Sequence, residues 1–485
     1  MRKILCVCLL SIMSSCSQIS NKFAPQIGVI EINSVKDNAL KIKIDVETTE
    51  GADAYIQYWN YTNVTQTDSV ISYSPISRNS NLHHLMLVDV NLNTDYKYNV
   101  VVQKKSLERR SKTYNFTTTR NIQWVPYYRN KDSLSHVKFD GYLHFHSRQI
   151  PGYLFLTNGE GKLASYYKNE DNFKVSKWTN KETLLGILSN DTLHFTNGKK
   201  IIEYDKFGNT ILEIETGKDN IQQSFHHEVD LDENGDIMTL VYNKKIMDLS
   251  SVGGTKTDTI KGDGILVLNH KKEVVWEWSV FDVMNPLDDE TILNSKKDWL
   301  HANALFKDKH GDYYVSFRNI SQVWKINGKT GDLIWKLGGI DSDFKMPEEA
   351  VFSGQHNIRI NNDNELVLLD NGNLRFKPGY KQASNRIKML DINAKSQSRL
   401  LTLSLDTLNM EVKTKDIVLF PKKYFTHSQG SAEYINDSLV VFCSTNTNRI
   451  VFTNKSGKEL GNMPLEYSTY RVQYIKELYD TSYAN

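Results

Sequence analysis

The chain predicts an all-β protein, a small sandwich followed by a six-bladed β-propeller, and three observations carry that prediction. Short apolar runs alternate with polar residues and are separated by turn residues; tyrosine is abundant at 25 and proline scarce at 9, a composition that favours strands. The second two-thirds repeats itself loosely. At 485 residues the chain is too long for one ordinary core and suits a small domain joined to a large repetitive one. Charge is nearly balanced, 59 basic against 57 acidic residues, which gives no electrostatic case for nucleic acid.

The first element lies outside the fold. "MRKILCVCLLSIMSSC" places Arg2 and Lys3 before an apolar run and ends in small residues at Cys16. This is an export signal spanning 1–16, too short to cross a bilayer. Its ending resembles a bacterial lipoprotein box in which Cys16 is lipidated, the alternative being an ordinary cleaved signal. The expectation is an exported protein, lipid-anchored to the outer membrane and facing the periplasm, with a homodimer left open as its assembly. Cys6 and Cys8 leave with the signal. Cys443, within "LVVFCST", then has no cysteine partner and reads as a buried apolar residue.

Residues 25–120 hold the sandwich, of immunoglobulin or fibronectin III type: "IGVIEINSV", "ALKIKIDVE", "AYIQYWNY", "HHLMLVDV", "YKYNVVVQ" and "TYNFTTT" are spaced as its strands. Leu92, Thr94, Tyr96 and Tyr98 have the pattern of a tyrosine corner. His83 and His84 point to opposite faces of a strand and form no joint site. A spacer or packing role follows.

Residues 121–485 hold the propeller. "HHEVDLDENGDIMTLVYN" with "GDGILVLNHKKEVVWEWSV" is one copy of a four-stranded meander. "HANALFKDKHGDYYVSFRN" with "SQVWKINGKTGDLIWKLGG" is the next. "HNIRINNDNELVLLDNGN" with "NRIKMLDINAKSQSRLLTLSL", and "HSQGSAEYINDSLVVFCST" with "NRIVFTNKSGKELGNMPL", complete the clear copies. Two weaker copies, beginning at "GYLHFHSRQIPGYLFLTN" and "ETLLGILSNDTLHFTNGKK", make six blades.

Four copies open with a histidine: His227, His301, His356 and His427. The first strand of each blade lines the central channel, so these positions are expected in register around one mouth. Asn303 should share a side with His301, and Arg318, in the same blade, is a further inward candidate. Either His226 or His227 faces inward. A histidine cluster suggests metal first, but no HExxH or paired-Asp pattern accompanies it, and a guanidinium among imidazoles favours a tetrahedral oxyanion over a cation. The bland alternative is satisfied polar residues filling the channel. No metal and no cofactor is expected.

"DWLHAN" with "SFRN" and "KTGDLIWKLGG", "FSGQHN" followed by "LLDNGN", "HHEVDLDENGD" and the closing "YRVQYIKELY" resemble the bacterial arylsulfate sulfotransferase family. The likeness covers most of the mature chain. It implies an immunoglobulin-like domain on a six-bladed propeller, and transfer of a sulfuryl group from an aryl sulfate donor to a phenolic acceptor without a nucleotide sulfate. By motif it implies His356 as the nucleophile that becomes sulfated. His227, His301 and Arg318 would hold the sulfuryl oxygens and steady the leaving phenolate; Asn303 would orient the site, and His427 would lie in the substrate-binding region. Well-known members carry a disulfide near the site, which Cys443 alone cannot form. Two other readings remain: a non-catalytic ligand-binding propeller lipoprotein, and a metal-dependent lyase or hydrolase using the histidine ring. "VVWEWS" and "LIWKLGG" also resemble quinone-dependent dehydrogenase propellers, without their calcium-binding acidic set.

Overall fold

The computed structural model describes residues 24–35, 38–61, 71–118, 137–191, 197–373 and 397–479. Cys16 and the signal lie outside the described residues.

The N-terminal unit is a seven-stranded antiparallel sheet joined through one long strand, Asn38–Asn60. Its first half pairs with Ile27–Val35 and Ser77–Leu87, and its second half with Asp95–Lys104. Ile44, Val46, Ala54, Ile56, Leu85, Leu87, Tyr98 and Val100 from both halves share one core. The tyrosine corner is present: the Tyr96 hydroxyl accepts the Asn91 N–H, five residues back, at 2.8 Å. His83 is buried and His84 exposed, as strand alternation requires. This unit rests on the propeller through Lys41, whose ammonium lies 3.5 Å from the Tyr167 ring centroid and donates to the Lys206 carbonyl at 2.7 Å.

Six antiparallel sheets follow, and they form the propeller. Their inner strands are Asn172–Trp178, Phe225–Leu231, Ala302–Lys307, His356–Ile360, Ser431–Tyr434 and Gln473–Ile475. Each contacts the next around a closed ring. Gln473–Ile475 comes from the C-terminus yet pairs with Tyr142–Ser147, so the chain's end supplies the inner strand of its first blade. Closure of this kind leaves no long open edge.

Two blade assignments from sequence are corrected here. The second blade begins at Asn172–Trp178, one strand before "ETLLGIL". The fifth takes its third and fourth strands from Arg399–Asp406 and Glu411–Leu419; "NRIKML" lies outside the described residues. The second copy has its strongest apolar run away from the inner strand and was phased one strand late, whereas the fifth was phased correctly on His356–Ile360 and only its outer strands were misplaced.

Apolar packing falls between blades. Six buried clusters each straddle one neighbouring pair: Trp278 with Trp324 across the third and fourth, for example, and Phe145 with Phe452 across the sixth and first. The last seam holds the ring shut. Phe452→Ala there should cost about 3–5 kcal/mol, read as a lowered urea midpoint; a change below about 1 kcal/mol would mean that the seam does not limit stability.

Candidate active site

The channel mouth at the starts of the inner strands gathers the predicted residues. They are not in the simple register expected. The repeated feature is a non-glycine residue in the left-handed region: His227 (φ 56°), His301 (φ 60°), Asn357 (φ 52°) and Gln429 (φ 61°). By that measure His227 and His301 correspond, His356 sits one position earlier, and His427 two. Such residues are strained by about 1 kcal/mol or more and persist where the surroundings hold them. Register shifts follow in three of these strands, between His226 and Val229, Ala302 and Ala304, and His356 and Arg359.

The shifts break strand alternation, with two consequences. His226 and His227, expected on opposite faces, instead meet at Nδ1–Nδ1 2.8 Å. His227 is the one turned to the channel, with its ring 4.7 Å from that of His301 and 5.9 Å from that of Tyr470. Asn303 falls at the shift between Ala302 and Ala304. It is wholly buried and donates to the Gln355 carbonyl at 2.7 Å, tying one inner strand to the residue before His356.

His356 is 1% exposed. Its Nδ1 faces two acceptors, the Gly354 carbonyl at 3.0 Å and Asn371 Oδ1 at 2.7 Å. The Asn371 amide cannot be reversed, because its Nδ2 donates to the Thr426 and Gln429 carbonyls. Nδ1 therefore carries the proton, and Nε2 has the lone pair. That lone pair accepts the Gln429 N–H at 3.1 Å. Burial first, then the Arg318 charge, holds the His356 pKa well below its ordinary value, so the ring is neutral.

His301 donates from Nδ1 to Asp298 at 2.7 Å, which turns Nε2 outward; it is 19% exposed, the most accessible of the three. Arg318 is anchored by its main chain, whose N–H donates to the His301 carbonyl at 3.0 Å, and its side chain donates to Asn319 at 3.3 Å. Its charge also depresses the pKa of half-buried His427, after burial, which places His427 at the rim of the same field.

Several residues here were missed from sequence. Tyr470 and Arg471 occupy the closing blade's equivalent of the histidine positions. The Tyr470 hydroxyl donates to the Asn303 carbonyl at 3.0 Å, and its ring lies 6.3 Å from that of His356. Arg471 clasps both Glu228 oxygens at 2.7 Å and donates to the His227 carbonyl at 3.1 Å, fixing His227 in its strained conformation. Arg148 donates to Gln429 Oε1 at 2.6 Å and stacks its guanidinium 5.5 Å from the Tyr470 ring centroid. "YRVQYIKELY" held the signal, since Tyr470 and Arg471 precede a strand just as the histidines do. Cys443 is buried and unpaired, with burial pushing its thiol up to about 12.

Among the described residues no group of three or more His, Cys, Asp or Glu has the geometry to hold a metal ion. A cavity of about 870 Å³ opens at the other end of the inner strands, lined by Trp178, Asp232 and Phe306 among others. It lies away from this chemistry.

The site is built of imidazoles kept neutral by burial. His144 is lowered to about 4 and His226 to about 3, and His146, His227 and His356 lie well below 6.5. The unfolded chain binds more protons than the folded one at these groups, so their stability is present above pH 6.5 and lost as pH falls toward the folded values. The Tm should drop by at least about 5 °C between pH 7 and pH 5, measured by calorimetry. A flat profile would mean that the cluster is already charged or hydrated.

The arylsulfotransferase (ASST) family model matches residues 129–476. No curated protein matches the chain. Among solved structures it is similar to a protein of unknown function from Bacteroides caccae, 11% identical over 70% of this chain and 100% of that one, with a TM-score of 0.42. It is also similar to virginiamycin B lyase from Staphylococcus aureus, 13% identical over 68% and 86%, with a TM-score of 0.34. A Bacteroides thetaiotaomicron protein of unknown function is 13% identical over 92% and 98%, with a TM-score of 0.34.

Proposed function

The chain belongs to the arylsulfotransferase family and is a sulfotransferase, and from that premise we propose that it transfers a sulfuryl group from an aryl sulfate to a phenol in two steps, through a sulfated His356. The observation that carries the proposal is the fixed tautomer of His356. A neutral ring with Nδ1–H pinned on Asn371 and Gly354 presents a lone pair at Nε2, the form that attacks an electrophile.

Nε2 attacks sulfur in line. The S–O bond to the phenol breaks, and negative charge grows on the departing oxygen. Arg318 and the outward Nε2 of His301 meet the sulfuryl oxygens and the leaving group, and His227 closes the third side. Fixed donors aimed at such charge are each worth about 100-fold or more in rate. A sulfuryl group bears less charge than a phosphoryl group, so one guanidinium with imidazoles suffices where phosphoryl transfer recruits metal ions. The Gln429 N–H, now on Nε2, must yield that position to sulfur and is then placed to donate to a sulfuryl oxygen.

The purified protein, given an aryl sulfate and a phenol with chelator present, should transfer sulfate. His356→Ala should lose at least about 1,000-fold. Brief exposure to donor alone should leave one SO3 on the peptide containing His356, read by mass spectrometry. Absence of transfer across a broad phenol panel would favour a binding propeller, and loss on chelation a metal enzyme.

We further propose export and lipid anchoring at Cys16 to the outer membrane, on the strength of the "MSSC" ending. Cys16→Ala should move the protein from the membrane to the soluble fraction and abolish incorporation of labelled palmitate. A soluble wild type would overturn this.

A further inference from the structure

We propose that Asp263, His226 and His227 form a buried proton relay that ends at the reacting phenol oxygen. The inference rests on the sulfuryl-transfer reading above and supplies what that reading lacks, a store for one proton.

Sulfuryl transfer in two halves has a proton balance. The departing phenolate needs a proton in the first half, and the acceptor phenol releases one in the second. Between them the sulfuryl group waits on the protein, and the protein stays one proton short unless water makes up the difference.

A continuous line of polar atoms leads away from the site. His227 faces the channel, and its Nδ1 is 2.8 Å from His226 Nδ1. His226 Nε2 is 3.5 Å from Asp263 Oδ1. All three residues are at most 3% exposed. The Tyr242 ring stacks on His226 at 3.9 Å and shuts it off from the other side. Lys261, whose charge reaches Asp263, lies 3.8 Å over the Tyr242 ring.

The charge state suits a store. Burial first, then the nearby Asp298 carboxylate, pushes Asp263 up to about 7, with the backbone N–H groups of Ala302 and His301 and the Lys261 charge opposing. Burial holds His226 neutral, lowered to about 3, against the Val241 backbone acceptor and the Asp298 carboxylate, while neighbouring His301 and Lys261 add to the lowering. His227 is kept neutral by burial and by His301, His226, His356 and Arg148. Proton exchange between a neutral acid and two neutral imidazoles needs no buried ion pair beforehand.

In the starting state Asp263 holds a proton, His226 carries its own on Nδ1, and His227 carries its own on Nε2, toward the site. As the ester S–O bond breaks, His227 Nε2–H protonates the phenolate. The His226 Nδ1 proton moves to His227 Nδ1, and the Asp263 proton moves to His226 Nε2, leaving a carboxylate. The last step needs the 3.5 Å gap to close by about 0.5 Å. The second half runs in reverse: the acceptor O–H bond breaks onto His227 Nε2, and a proton returns to Asp263.

Asp263→Asn preserves shape and cannot give up a proton. With it, kcat/KM for phenyl sulfate should fall at least about 100-fold more than for 4-nitrophenyl sulfate, whose leaving group needs no acid. In the wild type, kcat/KM for phenyl sulfate should decline as pH rises through about 7, and Asp263→Asn should lose that limb. Equal losses on both esters, or a retained limb, would overturn the relay. A second measurement does not depend on turnover: 15N NMR of the histidines in the full chain. His226 should be protonated on Nδ1 and His227 on Nε2 below about pH 7, the pair exchanging tautomers above it, and Asp263→Asn should freeze them. Tautomers indifferent to pH and to that substitution would overturn the relay even if no ester reacts, whereas the expected tautomers with no transfer from any aryl sulfate would sink the reaction instead.

Discussion

Everything at this site depends on keeping several imidazoles uncharged within a few ångströms of one another. Desolvation does this. A second charge beside His227 would stand in a buried, low-dielectric setting next to the Arg148 guanidinium. The propeller is what makes the burial affordable: each inner strand is covered on both flanks by a neighbouring blade, so side chains at its start are walled by protein on every side but the mouth.

Burial alone would give a loose cluster. Position comes from the strained residues and the groups that hold them. His227 and His301 adopt left-handed backbone, and each is tied by its own carbonyl, His227 to Arg471 and His301 to the Arg318 N–H. The Arg471–Glu228 pair is wholly desolvated, and removing either partner of such a pair commonly costs about 3–5 kcal/mol. That cost links ring closure to the site, because Arg471 stands two residues before the strand that completes the first blade. A chain whose end failed to dock would lose both the seam and the conformation of His227.

How far the sequence revealed this varies by residue. The propeller and its six blades were legible, because meander repeats and turn residues are local signals. His227, His301 and His356 were legible as strand openers. Their relative register was not, since it is set by left-handed residues and bulges, which leave no mark on a hydrophobic pattern. His427 illustrates the failure: it opens its copy as the others do, yet Gln429, two residues on, holds the equivalent backbone position. Asp263 was invisible for a different reason. It sits on the third strand of its blade, 37 residues from His226 in the sequence, within an ordinary "GDG" that reads as a turn.

The Gln429 N–H on His356 Nε2 ties these strands of argument together. A nucleophile whose lone pair lay open to a water-filled mouth would be solvated, and freeing it would cost part of the barrier. Here the partner is one N–H of a fixed peptide, held by Arg148 through the Gln429 side chain. On the proposed mechanism, exchange of that N–H from nitrogen to a sulfuryl oxygen would conserve the hydrogen bond while releasing the lone pair, so the resting state would be protected without being deeply stabilised. The same peptide would then face SO3 on one side while the proposed relay through His227 serves the phenol on the other. In that scheme sulfur and proton are handled by different elements of the ring, which is what two half-reactions sharing one pocket would require.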